Sequence, residues 1–248
     1  NLGIVVDGVD NLRKAIRETL RQGAHQIKIM VSGGIASPTD PIWMLQYSDE
    51  EIAVAVDEAA RRRTYVMAHA YTAETISRAV SLGVGSIEHA NLIDKDAAEL
   101  VAANNAYVVP TLVTYDAISR FGKEAGAPQT TLDKLTSVHA KGLEAIEICK
   151  AAGVSMGLGT DLLGDMHVHQ LDEFRIRGEI QTPFEVLHSA TAVNAEIVQH
   201  SAELGCIREE AYADLLVIDG NPLEDLSLLY GKPNGIAAIY KNGRLVAT

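Results

Sequence analysis

Four residues with the chemistry of metal ligands lie within or directly after short apolar segments. Lys28 lies within Gln26-Ile-Lys-Ile-Met-Val31, His69 ends Thr64-Tyr-Val-Met-Ala-His69, His89 ends Gly85-Ser-Ile-Glu-His89, and Asp161 follows Val154-Ser-Met-Gly-Leu-Gly-Thr160. A lysine inside an apolar strand is costly unless its charge is neutralised or paired. In a barrel of alternating strands and helices, the carboxyl ends of the strands carry the chemistry. The four residues therefore predict a metal site, and Lys28 is expected to be buried.

Each of these residues also has a simpler interpretation. Lys28 could extend along the strand surface to reach solvent. His69 and His89 could each be a histidine satisfied within the core, and Asp161 could cap the next helical segment. Because His69 and His89 fall at the ends of successive predicted strands, and the motifs of Lys28 and Asp161 are in register with them, metal ligation is the favoured interpretation.

Short apolar strands alternate with amphipathic helices along the first part of the chain. A helix is predicted over Val9–Arg21, and another begins at Ser48, which forms a capping box with Glu51. The alternation predicts a parallel sheet packed against helices. Strands are expected at 26–31, 64–68, 85–88, 106–109 and 154–158, and further helices at 72–82, 94–104, 131–151 and 183–191.

The pattern changes after residue 192. Residues 213–222 and 236–246 predict strands of a small β-subdomain, with a two-residue hairpin turn at Lys241-Asn-Gly-Arg244. We therefore expect a partial barrel with the metal site over residues 1–192. Residues 193–248 are expected to hold the last barrel helix region and the strands of a small β-sandwich subdomain.

The number of predicted strands limits the architecture. The predicted fold class is α/β, a (β/α)8 TIM-type barrel. Five strands cannot close such a barrel, so only about its last five βα units are expected in this chain. The chain is accordingly expected to be the carboxyl-terminal part of a longer protein.

Composition narrows the class of function. The chain has 248 residues, of which 47% are hydrophobic, and a net charge of −12, which argues against nucleic-acid binding through phosphates. Cys149 and Cys206 lack the spacing of a metal or redox motif, so a reducing, cytoplasmic location is expected. No apolar run is long enough for a membrane span. The expected partners are a small-molecule or dipeptide substrate and a second copy of the chain in a homo-oligomer.

The motifs together resemble the metal-dependent amidohydrolase superfamily, in particular its imidazolonepropionase-like and Xaa-Pro or Xaa-Arg dipeptidase branch. The resemblance is carried by Ile27-Lys-Ile-Met, Met67-Ala-His-Ala-Tyr71, Ser86-Ile-Glu-His-Ala90 and Gly157-Leu-Gly-Thr-Asp161, and by Thr191-Ala-Val-Asn-Ala195 and Ala213-Asp-Leu-Leu-Val-Ile-Asp219 near the carboxyl terminus.

This resemblance implies a centre of two divalent metal ions, expected to be zinc. Lys28 would be carboxylated and bridge the two ions, and His69 and His89 would bind one of them. Asp161 would bind the other and act as the catalytic group that takes the proton of a bridging hydroxide. The hydroxide would attack an amide carbonyl, since zinc lowers the pKa of bound water and polarises carbonyl groups. Tyr71 would contact the substrate, although it could instead be a packing aromatic.

The chain departs from the family pattern in one respect. The family's first two ligands form a His-x-His pair, and no such pair precedes residue 25. His167-Val-His169 has this spacing, but it follows Asp161, so the ligand role is not transferred to it. For these two histidines, a surface position and a position lining the substrate pocket stay equally open.

The leading hypothesis is a metal-dependent hydrolase of amide bonds in dipeptides or N-acyl amino acids. One alternative is a superfamily deaminase or an imidazolone-type cyclic amidase. Such a deaminase would carry a glutamate at the position of Thr72 and would not use a bridging lysine, so Thr72 and Lys28 both argue against it. The alternative from another class is a scaffold or binding subunit without catalytic activity.

Overall fold

The computed structural model of the chain describes residues 3–231 and 235–247. The chain forms two compact units, one of residues 1–109 with 123–155 and one of residues 110–122 with 156–248. The domain division expected after residue 192 stays a prediction.

A five-stranded sheet follows the chain order β1-β2-β3-β4-β5. The first four strands pair in parallel, with Ile29 beside Ala68 and Ala68 beside Ile87. This arrangement confirms the predicted α/β class and its five strands. The strands are β1 Ile27–Met30, β2 Val66–Thr72, β3 Ser86–Leu92, β4 Tyr107–Val109 and β5 Ser155–Met156.

The helices of the first unit pack their apolar stripes against this sheet. In the first helix, Leu12, Ile16 and Leu20 are buried because positions three or four apart share one helix face. The predicted capping box is confirmed: the Glu51 N–H donates to Ser48 Oγ, and the Ser48 N–H donates to Glu51 Oε2 at 2.7 Å. These helices are α1 Val9–Arg21, α2 Asp49–Arg61, α3 Ala73–Ser81, α4 Lys95–Ala103, α6 Gln129–His139 and α7 Gly142–Ala151.

The single helix predicted over 131–151 is wrong, because the chain breaks between α6 and α7. The carbonyl of Val138 accepts from Asn91 Nδ2 at 3.2 Å and from the Lys141 N–H at 3.2 Å, so it does not continue the helical ladder. The residue that would have continued the ladder is Gly142, which has poor helix propensity.

The second unit combines short helices with a three-stranded antiparallel sheet in the order β6-β7-β8. The predicted hairpin turn is confirmed, since Asn242 and Gly243 both have the positive φ values, 49° and 74°, that such a turn requires. Val186, Leu226 and Leu229 form the buried centre of a hydrophobic cluster. The elements are α5 Leu112–Phe121, α8 Asp172–Arg177, α9 Pro183–His188, α10 Asn194–Ile197, α11 Ser227–Tyr230, β6 Leu215–Ile218, β7 Ile236–Lys241 and β8 Arg244–Ala247.

Two further elements are shorter than predicted. The strand expected at 154–158 covers only two residues, and Leu158 instead pairs with a side chain: its N–H donates to Asn194 Oδ1 at 3.0 Å, and its carbonyl accepts from Asn194 Nδ2 at 2.9 Å. The helix expected over 183–191 leaves the α form after His188 and continues as a π-helical turn over Ser189–Val193. No helix in residues 3–231 and 235–247 is long and apolar enough to cross a membrane.

Candidate metal centre

Two histidines and a tyrosine of β2 and β3 form a buried aromatic cluster. Both strands extend three residues beyond the histidine that was expected to end them. The ring centroids of His69 and His89 lie 4.6 Å apart. The Tyr71 ring lies 4.9 Å from that of His69, edge to face, and 5.3 Å from that of His89, nearly parallel to it. The structure therefore brings together three of the residues that the sequence predicted for the site.

His89 reaches this cluster through an unusual backbone conformation. The sheet register places His89 beside Ala70, so regular alternation would direct its side chain away from the face that carries His69. The register shifts after Ala70, and His89 and Ala90 adopt positive φ values of 80° and 55°. A residue other than glycine in this region costs on the order of 1 kcal/mol or more, and such strain is concentrated at functional sites. The local distortion places the His89 imidazole against His69.

The hydrogen bond of His69 fixes its tautomer. Its Nε2 lies 3.1 Å from the carbonyl oxygen of Gly33, and a carbonyl oxygen can only accept, so Nε2 carries the proton. Burial is the main reason that the pKa of His69 is lowered to about 4. The hydrogen bond to Gly33 raises the pKa in part, and the charge of Lys28 lowers it further. At neutral pH the ring is therefore uncharged, with its lone pair on Nδ1. This is the form in which histidine binds a metal ion, with the second nitrogen donating to a carbonyl group.

His89 is also held in the uncharged form. Burial lowers the pKa of His89 well below its usual range, and the neighbouring His69 and Lys28 lower it further. A neutral imidazole has one ring nitrogen with a lone pair that can bind a divalent ion.

The expectation that Lys28 is buried is wrong. In β1, Ile27 and Ile29 are buried whereas Lys28 and Met30 are exposed, because alternate residues of a strand point to opposite faces and this face of β1 is open. The register places Met30 beside His69, so Lys28, two residues earlier, shares the sheet face of His69. Lys28 thus lies on the side of the sheet that carries the histidines, and its charge lowers their pKa values.

Asp161 lies in the second unit, where it is exposed and has a positive φ of 47°. The 3-10 helix that follows, Gly164–His169, begins after Leu163, so Asp161 is not its capping residue. Its assignment as a ligand and a catalytic group stays a prediction.

The two histidines after Asp161 differ in their surroundings. His167 is exposed. His169 stacks on Phe121, with ring centroids 4.6 Å apart and planes inclined by 11°, and its Nδ1 lies 3.6 Å from Asp172 Oδ2. These contacts favour a packing role for His169.

The sequence reasoning missed two buried ionisable side chains in the second unit. Glu173 and Arg177 have no exposed surface. Glu173 Oε2 accepts the N–H of Val113 at 2.7 Å at the start of α5, and Arg177 donates to the Gly157 carbonyl at 3.0 Å and to Ser189 Oγ at 3.3 Å. Arg177 thus holds the first residue of the segment that leads to Asp161. The four-residue spacing of Glu173 and Arg177 on one helix face was the available signal.

The donor chemistry of the first unit fits a divalent ion in part. The two neutral imidazoles are suitable ligands for zinc. Within residues 3–231 and 235–247, no group of three or more His, Cys, Asp or Glu side chains is arranged to hold a metal ion. The histidine pair is therefore an incomplete ligand set unless other groups join it.

The chain matches the model of the amidohydrolase family over residues 1–246. It belongs to the amidohydrolase family. Ochratoxinase from Aspergillus niger is 32% identical to this chain over 242 residues, which are 97% of this chain and 50% of that protein.

Solved structures agree with the family assignment. A prolidase complexed with N-methylphosphonate-L-proline is 53% identical, with a TM-score of 0.97 over 99% of this chain and 60% of that chain. A Xaa-Pro dipeptidase with methionine bound in its active site is 28% identical, with a TM-score of 0.89 over 100% of this chain and 62% of that chain. The resemblance and the fold class predicted from the sequence are confirmed. The amidohydrolase chain spans about half of the curated relative and about 60% of these two structures.

Proposed function

We propose that the protein is a metal-dependent hydrolase that cleaves the amide bond of dipeptides or N-acyl amino acids. The observation that carries the proposal is the buried pair of His69 and His89, with the Gly33 carbonyl on Nε2 of His69. The similarity to a prolidase and a Xaa-Pro dipeptidase supports this substrate class. Self-association and a cytoplasmic location stay predictions from the sequence.

In this proposal His69 and His89 hold one divalent ion. The His69 tautomer presents Nδ1, and the low pKa values of both rings keep protons from competing for the lone pairs. When bound, divalent ions would lower the pKa of water to about 7 and polarise the amide carbonyl of the substrate.

Lys28 would complete the ligand set in carboxylated form. As an ammonium group, Lys28 disfavours positive charge at both histidines, which its effect on their pKa values shows. Such a charge opposes a metal cation in the same way. In carboxylation the neutral amine would add carbon dioxide and lose a proton to solvent, which gives an anion with two oxygen donors. The anion would attract a metal cation where the ammonium group repels it.

Asp161 and Tyr71 would act on the reacting groups. For Asp161, the support is the motif Gly157-Leu-Gly-Thr-Asp161, in which the carboxylate would bind the second ion and accept the proton of the attacking water. For Tyr71, the support is its position against both histidine rings, from which its hydroxyl would donate to the substrate.

The deaminase alternative has less support. Thr72, at the position where a deaminase would carry a glutamate, caps α3 by accepting the Thr75 N–H at 3.3 Å. A scaffold without metal is the alternative from another class, and metal content separates it from the proposal.

Metal analysis and turnover of the whole protein test the proposal together. We expect about two zinc equivalents per subunit and hydrolysis of Xaa-Pro dipeptides or N-acyl amino acids. His69→Asn and His89→Asn should each weaken metal binding at least ~100-fold, because each removes a direct ligand. His139→Asn, at an exposed histidine of α6, is the matched control. A metal-free wild-type protein, or ligand variants that retain full metal content, would contradict the proposal.

A further inference from the structure

Lys134 of α6 binds the loop that follows β1 through three backbone carbonyl groups. Its Nζ donates to the carbonyl oxygens of Gly34 at 3.0 Å, Ser37 at 2.6 Å and Asp40 at 2.7 Å. A lysine ammonium group has three N–H donors, so these three acceptors use all of them. Hydrogen bonds from a charged donor are stronger than those between neutral groups. We call residues 32–47 the β1 loop.

The β1 loop lies directly against His69. The Gly33 carbonyl accepts both the His69 Nε2 proton, at 3.1 Å, and the Ser32 hydroxyl, at 3.0 Å. A Cβ atom at Gly34 would lie 3.4 Å from the His69 ring. The loop residues that Lys134 holds are therefore continuous with the residue that orients the imidazole.

The conformation of the β1 loop is tightly constrained at its two ends. The Gly33 N–H donates to the Met44 carbonyl at 3.0 Å, and a Cβ atom at Gly33 would lie 1.9 Å from the Pro41 carbonyl oxygen, so only glycine fits there. At the other end, Arg78 donates to the carbonyls of Gln46 at 3.3 Å and Tyr47 at 2.6 Å.

The middle of the loop depends on the lysine charge. The carbonyls of Gly34, Ser37 and Asp40 converge on one point, where their oxygens would repel one another without a cation. Lys134 lies about a hundred residues along the chain from them, so this interaction is tertiary. Removing the ammonium group is expected to release residues 34–40. The Gly33 carbonyl belongs to the peptide group that joins Gly33 to Gly34, so its orientation toward His69 loosens even though the Gly33 N–H stays bound to Met44.

We propose that Lys134 is a positioning residue, which fixes the β1 loop so that the Gly33 carbonyl holds His69 with its proton on Nε2 and its Nδ1 lone pair available. The part of this inference that concerns metal binding rests on the proposed function. The part that concerns the loop and the His69 tautomer does not.

The test compares Lys134→Met with Lys141→Met in the metal-free whole protein. Lys141, at an exposed position, has its ammonium group paired with Glu144 and serves as the matched control. Trp43 lies 71% exposed within the β1 loop, so the part of the tryptophan fluorescence anisotropy that Trp43→Phe removes reports on the loop. Nitrogen-15 NMR of labelled histidine reports the His69 tautomer and the exchange of its Nε2 proton.

In Lys134→Met we expect lower Trp43 anisotropy and Nε2 proton exchange that is about tenfold faster, as expected for the loss of hydrogen bonds to a charged group. The Kd for added Co²⁺ should rise by about 10- to 100-fold, as for other residues that orient a metal ligand. Lys141→Met should match the wild type in all three measurements.

A folded Lys134→Met protein with wild-type anisotropy and proton exchange would overturn the inference. If circular dichroism shows that this variant does not fold, Lys134→Gln, which keeps two N–H donors without the charge, is judged by the same criteria. A wild-type protein that binds no Co²⁺ would instead count against the proposed function, and the tautomer measurement would still decide the role of Lys134.

Discussion

The ring of Tyr71 stacks on the ring of His89, with centroids 5.3 Å apart and planes inclined by 17°. The same tyrosine meets the edge of His69 at 90°. Aromatic pairs of this geometry are stabilising beyond the area that they bury. Tyr71 is therefore part of the wall that holds both imidazoles in place, whatever its hydroxyl contributes to substrate binding.

Tyr71→Phe separates these two contributions. The variant keeps the stacked ring, so the fold and the metal content should be unchanged. Loss of the hydroxyl should lower kcat/KM by about 10²-fold if it donates to the substrate, as for other removed donors. Steady-state kinetics with a dipeptide substrate measure this effect, and Tyr212→Phe, at a half-exposed tyrosine, is the control. Unchanged kinetics would leave Tyr71 with its packing role alone.

Lys28→Ala should abolish the occupancy of a two-metal centre in the whole protein. The physical reason is the loss of the bridging anion that carboxylation of this side chain would supply. Metal analysis and turnover check the prediction, with Lys14→Ala, at an exposed lysine of α1, as the control. Normal metal content and turnover in Lys28→Ala would show that no bridge forms from this lysine.

Asp161→Asn should leave the fold intact and retain most of the metal, because the amide oxygen can still bind an ion. Turnover should fall by about 10²- to 10⁴-fold, since the amide cannot accept the proton of the attacking water. Asp165→Asn, at an exposed residue of the same segment, is the control. Unchanged turnover would remove Asp161 from the proton-transfer step.

Glu173→Gln tests the burial of the Glu173 carboxyl group through the pH dependence of stability. Burial raises the pKa of Glu173 to about 7, partly offset by Arg177 and by the backbone N–H groups of Val113 and Leu112. The folded chain therefore binds this proton more tightly than the unfolded chain. The resulting stabilisation is complete below the ordinary pKa of 4.5 and is lost as the pH rises through 7.

The size of this loss is about 3 kcal/mol, at 1.36 kcal/mol for each unit of pKa difference. The difference in the free energy of unfolding between the wild type and Glu173→Gln should therefore change by about 3 kcal/mol between pH 4.5 and pH 8, with the wild type losing stability. Urea unfolding across this range measures it, with Glu179→Gln, at an exposed glutamate, as the control. Parallel pH profiles of the wild type and Glu173→Gln would contradict a raised pKa.

Local signals in the sequence were sufficient for many elements. The Ser48 capping box and the Asn242-Gly243 turn depend on residues within a few positions of each other, so their patterns predict them directly. The alternation of strands and helices predicted the five-stranded sheet for the same reason. His69 and His89 were predicted from their places in successive apolar segments, and Tyr71 was predicted from the resemblance to the family.

Features that depend on distant contacts escaped the sequence analysis. The break after α6 requires Asn91 to contact Val138, and the exposure of Lys28 follows from the open face of β1. The positive φ of His89 was not predicted, since no glycine or Asn-Gly turn marks that position in the sequence. The contact between Lys134 and the β1 loop links residues about a hundred positions apart, so no local sequence pattern predicts it.

The pairing of Leu158 with the Asn194 amide bears on how this protein is made. The two-residue strand β5 leaves both polar groups of the Leu158 backbone to a side chain that lies 36 residues later. A nascent chain on the ribosome that stops short of residue 194 lacks this partner, and domains assemble from the amino terminus during translation. The segment that carries Asp161 therefore acquires its final form late in synthesis, after the histidine pair has already been translated.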